Sequence, residues 1–259
     1  MTNLSGKHFI VTGGTQGLGE TTAKLLATSG AAAITICGRN EDNGTRVAAE
    51  LDGLGCEAIY VRADRSRVDD CEAVVARHDE RFGRVDGLVN AAASTARGTI
   101  TDTNAADWDA MMALNLRAPF LLIRDCVNCM IRDRIAGSIV NIGSVSGHGG
   151  QDFLTAYSTS KGALMTLTKN AAHSLAEHRI RVNCLNIGWM ATPNEHVVQT
   201  VEHDRDDDWL DAADQAQPFG RILRPEDVAK LTAFLLGDDA ELMTGSCIDY
   251  DQIVVGARD

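Results

Sequence analysis

Short apolar runs alternate with longer helical patterns along the whole chain, and this alternation limits the fold more than any other feature. Seven apolar runs, the predicted strands, span residues 7–12, 33–37, 57–61, 85–89, 138–142, 180–186 and 246–250. Helical patterns lie near residues 17–29, 42–54, 67–82, 104–134, 155–176, 208–216 and 225–236. Strands separated by helices indicate βαβ units, so we predict an α/β fold with a parallel sheet and helices on both faces.

The length and charge of the chain narrow its class further. The 259 residues suit one large domain, and we expect a single domain over residues 1–259 because no linker or repeat interrupts them. The net charge of −12 argues against a nucleic-acid partner. Residues 195–214 hold eight of the acids and one arginine. No long apolar run or leader pattern is present in the sequence, so neither a membrane span nor a signal peptide is expected.

The cysteines favour a reducing compartment. They number seven and are scattered, several of them in apolar contexts where a free thiol behaves as a small hydrophobe. Cys126 and Cys129 are the only close pair, and no second pair or nearby histidine completes a ligand set. We therefore expect no metal site and a cytoplasmic location.

A glycine-rich loop, TGGTQGLG at residues 12–19, directly follows the first predicted strand and opens the first helix. Glycines let a backbone turn tightly and approach a ligand, and the helix N-terminus offers free N–H groups to a pyrophosphate. The spacing is Gly-x3-Gly-x-Gly, which leaves a tight turn without a ligand as the alternative. A bulky residue at Gly19 is expected to fill the space that the pyrophosphate needs.

Polar residues follow the next three strands of the predicted sheet. Gly38 and Arg39 end the second strand where an acid would select NAD, and a guanidinium suits the 2′-phosphate of NADP. NADP is therefore preferred and NAD remains possible, since Arg39 could instead be solvated or stack on adenine. Asp64, with Arg65 beside it, and Asn90 follow the third and fourth strands, where they could reach the adenine end or simply form turns.

Three reactive groups meet around the fifth strand and the helix that follows it. Ser144 lies at the carboxyl end of that strand, the edge where open α/β sheets hold ligands. Tyr157 and Lys161 are four residues apart, so both side chains leave the same face of a helix. A nearby ammonium lowers the pKa of a phenol, which could then exchange a proton with an alcohol oxygen held by Ser144. A surface Tyr–Lys pair is the alternative reading.

Together these features show a resemblance to a known family. The chain resembles the short-chain dehydrogenase/reductases over essentially its whole length. The matching features, in order, are TGGTQGLG, Asp64, the segment Asn90-Ala91-Ala92-Ala93, Asn115, Ser144, Tyr157 and Lys161. Asn115, within a helical pattern, would by itself indicate a local distortion or a held water. The resemblance implies a three-layer Rossmann-type domain with a seven-stranded parallel sheet.

The resemblance also implies roles for individual residues. Tyr157 would be the acid/base, Ser144 would position the substrate oxygen, Lys161 would lower the tyrosine pKa, and Asn115 would anchor a water of the proton relay. The residues implied or inferred for the cofactor are Gly13, Thr15, Gln16, Gly17, Leu18, Gly19, Arg39, Asp64, Arg65, Asn90, Ala91, Tyr157, Lys161, Gly188, Met190 and Thr192. A homotetramer or homodimer is implied, with helices 104–134 and 155–176 at the subunit interface.

The sequence departs from the family pattern in three places. Ala93 replaces a glycine beside the cofactor, and Ile187-Gly188 replaces a Pro-Gly pair after the sixth strand. The last strand runs into acids, Asp249 and Asp251, rather than paired glycines.

Residues 188–220 are long and less apolar than the core, and we predict that they form a lid over a small-molecule substrate. The candidate substrate residues are Ser144, Ser146, His148, Gln151 and Trp189, with Thr95, Phe153, Asn194 and Trp209 as further pocket residues. This mixture suits a polar ketone, polyol or sugar, and the acids of the lid disfavour a polyanion. The rival functions are another chemistry on the same fold, such as epimerisation, dehydration or enoyl reduction, and a nucleotide-sensing protein without turnover.

Overall fold

A parallel sheet of seven strands forms the centre of the molecule. The computed structural model describes residues 2–256, except for the side chain of Glu202. The strands are β1 His8–Thr12, β2 Ala33–Gly38, β3 Glu57–Arg62, β4 Gly87–Asn90, β5 Ser138–Ser144, β6 Arg181–Ile187 and β7 Cys247–Tyr250. Their spatial order is β3-β2-β1-β4-β5-β6-β7, and neighbouring strands are parallel. Every predicted strand is present, with its ends shifted by one or two residues.

Burial explains why the inner strands read as continuous apolar runs. Each residue of β2, β4 and β5 is buried, whereas the edge strands β3 and β7 are only partly covered. A parallel sheet carries helices on both faces, so alternate residues of an inner strand enter two different cores.

Nine α-helices surround the sheet within the described residues. They are α1 Gly17–Thr28, α2 Glu41–Gly53, α3 Val68–Phe82, α4 Ala105–Met112, α5 Ala118–Asp133, α6 Thr155–Ser174, α7 Pro193–Val197, α8 Trp209–Gln215 and α9 Pro225–Leu236. One core contains side chains of α1, α2 and α9, and the other contains side chains of α3, α5 and α6. The three-layer Rossmann-type α/β fold is confirmed.

The helical regions differ from prediction in two places. The single helix predicted over residues 104–134 is divided into α4 and α5 by a π-helical turn, Ala113–Arg117. Within the predicted lid, the sequence analysis missed α7 and the π-helical turn that follows it, because each is too short to show a clear 3.6-residue period. Among residues 2–256, none of the helices combines the length and apolar character required of a membrane span.

The topology creates one crevice at the carboxyl edge of the sheet. β1 lies between β2 and β4, and the chain winds outward from it in both directions. Loops that leave such a switch point diverge and open a space above the strand ends. The ends of β1, β4, β5 and β6 all face this space, and they carry most of the residues singled out in the sequence.

Candidate active site

The glycine-rich loop is shaped by close contacts with its neighbours. Gly13 and Gly17 have φ values of 68° and 54°, in the left-handed region that favours glycine. A β-carbon at Gly13 would lie 2.9 Å from that of Ala92. α1 begins at Gly17, and no side chain caps it at Gln16, so its first N–H groups are available to an anion.

Gly19 has a different role from the one expected. A β-carbon there would collide with the Gly13 carbonyl and lie 2.9 Å from the Gly14 nitrogen. The space beside Gly19 is therefore filled by the loop's own backbone, so Gly19 is needed to form the loop. Leu18 belongs to the hydrophobic core, and Thr15 is buried. Among the loop residues expected to bind the cofactor, Gly13, Gln16 and Gly17 are the least buried.

The loop after β4 is fastened to the glycine-rich loop. The Thr12 hydroxyl accepts hydrogen bonds from the backbone N–H groups of Ala91 and Ala92, at 3.1 and 3.4 Å. The Asn90 amide, however, is buried and donates to Asn141 Oδ1 at 2.9 Å. Asn141 in turn donates to Thr168 of α6. Through its amide nitrogen the Asn90 side chain thus connects two strands and a helix, while its Oδ1 is buried without a hydrogen-bond partner among the described residues. That Asn90 reaches the cofactor stays a prediction.

Two guanidinium groups lie near the ends of β2 and β3. Arg39 is exposed, whereas Arg65 is half-buried and its Nε is buried without a hydrogen-bond partner. Burial lowers the pKa of Arg65, and the positive charge of Arg39 adds to this effect. Asp64 accepts from the hydroxyl and N–H of Ser66, and these bonds lower the pKa of its carboxyl group. Two positive side chains therefore stand together at this corner of the crevice.

Ser144, Tyr157 and Lys161 converge at the carboxyl end of β5. The Ser144 hydroxyl is buried and accepts from the Ser146 N–H at 3.1 Å. Lys161 is buried, and its ammonium donates to the Ile142 carbonyl at 2.7 Å and lies 5.7 Å from the centroid of the Tyr157 ring. The strand end and the first two turns of α6 thus bring the three groups to one point, where the sequence predicted that they would meet.

The pKa shifts of the tyrosine and lysine differ from the expected pattern. Burial raises the pKa of Tyr157 above its usual value, a hydrogen bond with Ser144 lowers it, and the Glu195 carboxylate raises it further. Burial lowers the pKa of Lys161 to about 8. The expected lowering of the Tyr157 pKa by Lys161 is therefore not found, because desolvation of the phenolate outweighs the favourable contacts.

Asn115 lies in the π-helical turn between α4 and α5. Its amide donates to the Ser94 carbonyl at 2.9 Å and accepts from the Ser94 N–H at 2.8 Å. It also donates to the Ser160 hydroxyl at 3.2 Å. The local distortion predicted at this position is present, and the side chain connects the loop after β4 to α6 at Ser160, the residue before Lys161.

Tyr157 opens into a cavity of about 500 Å³. Of the expected pocket residues, Thr95, Ser144, Ser146, Gln151, Phe153, Trp189 and Asn194 line it. The cavity also has Gly188, Met190 and Thr192 in its wall. One cavity thus contains the hydroxyl of Ser144, the phenol of Tyr157 and most of the expected substrate residues.

Two expected pocket residues lie elsewhere. His148 does not line the cavity; its Nε2 is 2.9 Å from Asp249 Oδ1, because the helical turn after β5 directs the imidazole toward β7. Trp209 is buried behind the cavity wall, where it stacks on Trp189 at a centroid distance of 5.9 Å. Asp249 of β7 thus holds the imidazole of His148 away from the cavity.

The first residues of the predicted lid are attached to the body of the protein. Gly188 donates its N–H to Tyr250, and a β-carbon there would collide with the Asp251 carboxylate. The Ala191 N–H donates to Leu223 at 2.9 Å. Thr192 caps α7 by accepting from the Glu195 N–H, and it is the group nearest to a β-carbon built on Gly17, at 3.9 Å. Thr192 and the glycine-rich loop therefore form opposite walls of the crevice.

Sequence reasoning missed several residues of the cavity. The cavity lining also contains Arg97, Glu195, Gln199, His203 and Arg205. Glu195 Oε1 accepts from Trp189 Nε1 and from Gln199 Nε2, both at 2.7 Å. Tertiary structure brings these side chains to the cavity, Arg97 from the segment after β4 and the other four from the lid, and no motif or periodicity in the sequence marks them.

Comparisons with known proteins agree with this geometry. A family model described as enoyl-(acyl carrier protein) reductase matches residues 13–252. A 3-oxoacyl-(acyl-carrier-protein) reductase of Chlamydia pneumoniae is 32% identical over 96% of both chains. A 2,5-dichloro-2,5-cyclohexadiene-1,4-diol dehydrogenase of Sphingobium indicum is 34% identical over 97% of this chain and 98% of its own. The crystal structure of L-sorbose reductase from Gluconobacter frateurii, complexed with NADPH and L-sorbose, superposes with a TM-score of 0.92 at 28% identity, over 99% of both chains.

The fold, the crevice and these relatives define an NAD(P)-dependent oxidoreductase that acts on CH–OH or C=O groups. The chain belongs to the short-chain dehydrogenase/reductase family.

The crevice fits the nicotinamide dinucleotide that this class uses. The free N–H groups of α1, which begins at Gly17, suit a pyrophosphate. The unpartnered Nε of Arg65 provides a donor at the β2–β3 corner. When bound, the nicotinamide gives or takes the hydride of the reaction.

Proposed function

We propose that this chain interconverts a ketone and a secondary alcohol, with Tyr157 as the proton donor and acceptor. The observation that carries the proposal is that Ser144 and Tyr157 line one cavity at the carboxyl edge of the sheet, with the buried Lys161 ammonium 5.7 Å from the centroid of the Tyr157 ring. Ser144 would hold the reacting oxygen by a hydrogen bond. Asn115 keeps the loop after β4 and α6 in register and, as in the family, would hold a water of the proton relay.

The pKa shifts support proton donation in the direction of ketone reduction. A phenol with a raised pKa is protonated at neutral pH and can give its proton to a developing alkoxide. The Lys161 ammonium, close to the ring, would stabilise the phenolate that remains. Burial removes competing water, so this stabilisation is stronger than it would be at a surface.

NADP is the preferred cofactor in this proposal, and NAD is the alternative. Arg39 and Arg65 both stand at the corner where the adenine ribose of a dinucleotide would lie, and the described side chains provide neither with an ion-pair partner. Guanidinium groups bind phosphate through paired hydrogen bonds, so the 2′-phosphate of NADP suits them better than a ribose hydroxyl does. The residues expected from the sequence to bind the cofactor would do so. Of these, Thr15, Leu18, Gly19 and Asn90 would contribute by fixing the shape of the site.

The substrate would be a polar ketone, a polyol or a sugar. Thr95, Ser146, Gln151 and Asn194 offer hydrogen bonds in the cavity, and the few aromatic side chains include Phe153 and Trp189. The neighbouring L-sorbose reductase acts on a compound of this kind. Residues 188–220 would serve as a lid within a single domain, because α7 and the π-helical turn after it line the cavity while Gly188 and Ala191 are hydrogen-bonded to the body of the protein.

The assembly and location would follow the family. An exposed apolar groove formed by Met112, Leu116, Phe120 and Leu167 joins the α4–α5 region to α6, and we propose it as the interface of a homodimer or homotetramer. All seven cysteines are free thiols, which suits a reducing cytoplasm.

A turnover assay tests the proposal. Purified protein is incubated with NADPH or NADH and a panel of ketoses, simple ketones and diketones, and absorbance of the reduced nicotinamide is followed. We expect turnover, and we expect Tyr157→Phe to reduce kcat by about 10²–10⁴-fold while the affinity for NADPH is kept.

Cofactor binding without turnover of any substrate would favour a nucleotide-sensing protein instead. Undiminished turnover by Tyr157→Phe would remove the tyrosine from the mechanism. Turnover of an enoyl substrate but of no ketone would favour the enoyl-reductase alternative.

A further inference from the structure

We propose that the substrate carries a carboxylate as well as its carbonyl, and that Arg97 and Arg205 bind this carboxylate at the mouth of the cavity. This inference rests on the proposed function of the same site and names the class of substrate: a hydroxylated keto acid and the hydroxy acid formed from it.

The two arginines come from opposite walls of the cavity. Arg97 follows β4, and its neighbour Gly98 is bonded to the segment before α6: the Gly98 N–H donates to Phe153 and the Thr155 N–H donates to Gly98, both at 3.0 Å. The Arg97 guanidinium lies over the Phe153 ring, 5.1 Å from its centroid. Arg205 lies on the lid, and its N–H donates to the Gln199 carbonyl at 3.1 Å. A ligand between them would therefore hold the lid to the body of the protein.

Neither guanidinium has an acidic partner among the described side chains. Arginines elsewhere, such as Arg46, Arg132 and Arg224, are paired with carboxylates at 2.9 Å or less. Arg97 and Arg205 line the cavity and are exposed to solvent. In a chain with a net charge of −12, two cations that face one cavity and have no acidic partner among the described side chains favour an anionic ligand group.

The acids of the lid do not oppose this assignment. Arg205 is the only arginine of residues 195–214, and it lines the cavity, whereas Asp206, Asp207 and Asp208 are exposed and lie outside the lining. Glu195 also lines the cavity, but its Oε1 already accepts hydrogen bonds from Trp189 and Gln199. The acids lower the local potential enough to disfavour a dianion. A single carboxylate, which matches the planar fork of a guanidinium, is therefore the better fit.

The inner part of the cavity suits hydroxyl groups. Gln199 is buried at 4% exposure, and its Oε1 has no hydrogen-bond partner while its Nε2 donates to Glu195. A substrate hydroxyl could donate to this oxygen and relieve the cost of an unpaired buried acceptor. Hydroxyl donors near Tyr157 and an anion at the mouth together describe a hydroxylated keto acid.

Matched substrate pairs test the proposal. L-sorbose and 5-keto-D-gluconate differ only by a terminal hydroxymethyl or carboxylate, as do dihydroxyacetone and hydroxypyruvate; 2-pentanone and levulinate form an unhydroxylated pair. We expect kcat/KM to be higher for the acid in at least one hydroxylated pair, with the difference mainly in KM. Raising the salt concentration should reduce this preference, since it screens exposed charges.

Arginine variants identify the groups responsible. Arg97→Gln and Arg205→Gln should each lower the acid-to-neutral ratio of kcat/KM by about fivefold, as expected for exposed ion pairs. Arg77→Gln, on the exposed side of α3, is the matched control and should leave the ratio unchanged.

The possible failures are distinguishable. If no ketone of any pair is reduced, the proposed function itself fails. If ketones are reduced but kcat/KM for the neutral member of each pair equals or exceeds that for the acid, the carboxylate assignment is overturned. The proposed oxidoreductase function is then still supported. A preference for acids that both arginine variants retain would also overturn it, because the carboxylate would then be bound elsewhere.

Discussion

Lys161 holds its ammonium group in an almost fully buried site, at 3% exposure, with the Ile142 carbonyl as its hydrogen-bond acceptor. Burial disfavours the charged form of any group, so it lowers the pKa of the lysine and raises that of Tyr157. The two pKa values therefore move apart, and that of Lys161 falls below that of Tyr157. At the scale of single residues, burial of the Lys161 ammonium beside the Tyr157 phenol lowers the free energy of unfolding of the protein.

This cost gives a prediction about pH. The pKa of Lys161 falls from its usual 10.5 to about 8 in the folded protein, so between these values the unfolded chain binds one more proton. The contribution of Lys161 to the free energy of unfolding should therefore rise with pH through this window, by about 3 kcal/mol. Lys161→Met should remove this contribution.

The measurement is the difference in free energy of unfolding between the native protein and Lys161→Met, followed from pH 7 to pH 10. The difference is needed because burial raises the pKa of several cysteine thiols, Cys37 and Cys126 among them. Ionisation of these thiols in the unfolded chain lowers the free energy of unfolding as the pH rises, which opposes the increase due to Lys161. A difference that stays constant across the window would show that Lys161 keeps an ordinary pKa.

Arg39 gives the second prediction at this scale. Arg39→Gln should weaken NADPH binding by about tenfold and leave NADH binding nearly unchanged, because a charged hydrogen bond to the 2′-phosphate is lost. Titration by nicotinamide fluorescence measures both affinities. Arg62→Gln, at the exposed end of β3, is the control. Equal losses for NADPH and NADH would contradict a 2′-phosphate role.

At the scale of elements, two irregular segments position the site. The π-helical turn directs Asn115 inward, where it holds both backbone groups of Ser94. The glycine-rich loop turns back on itself, so that Gly19 of α1 contacts the Gly13 backbone. Each irregularity is fixed by close packing with a neighbouring segment, which makes it sensitive to very small changes of side chain.

Gly19→Ala tests this close packing. The added methyl group must displace the Gly13 backbone, so we expect a loss of about 2 kcal/mol in the free energy of unfolding and weaker cofactor binding. Gly53→Ala is the control, because Gly53 also lies in a helix but faces open space, and alanine favours helix there. Thermal unfolding at equal protein concentration compares them. If the two variants are equally stable, the loop is less constrained than its contacts indicate.

At the scale of the whole molecule, the sheet gathers residues that are far apart in sequence. Thr12, Asn90, Ser144 and Ile187 each end a strand, and all four strands end at one edge. The outer face of the α4–α5 region and α6 remains exposed, with Phe120 at 48% exposure. A large apolar side chain with this exposed fraction, in a groove with other apolar residues, is typical of a protein interface.

The proposed interface gives a prediction at this scale. Phe120→Glu should shift the protein from dimer or tetramer toward monomer, because a charge would be buried in an apolar contact. Sedimentation equilibrium measures the change. Leu54→Glu, at a similarly exposed leucine after α2, is the control and should keep the native assembly. A native protein that is monomeric at micromolar concentration would exclude the interface.

The predictions from sequence succeeded where a residue's role depends on its position along the chain. The strand runs, the loop before α1 and the four-residue spacing of Tyr157 and Lys161 are local patterns that survive folding almost unchanged. They failed for His148, whose imidazole is bonded to Asp249, and they did not anticipate the bond between the amide nitrogen of Asn90 and Asn141. Both partners are distant in sequence, so no local pattern could show which way these side chains turn.

The sequence by itself determined the order of strands and helices, the glycine-rich loop and the spacing of Tyr157 and Lys161, because hydrophobic periodicity and short spacings are properties of neighbouring residues. Tertiary structure alone decided which charges face the cavity and how burial moves the pKa values of Tyr157 and Lys161. Those properties depend on the surrounding dielectric and on contacts between segments tens of residues apart, which exist only once the sheet and the lid are assembled.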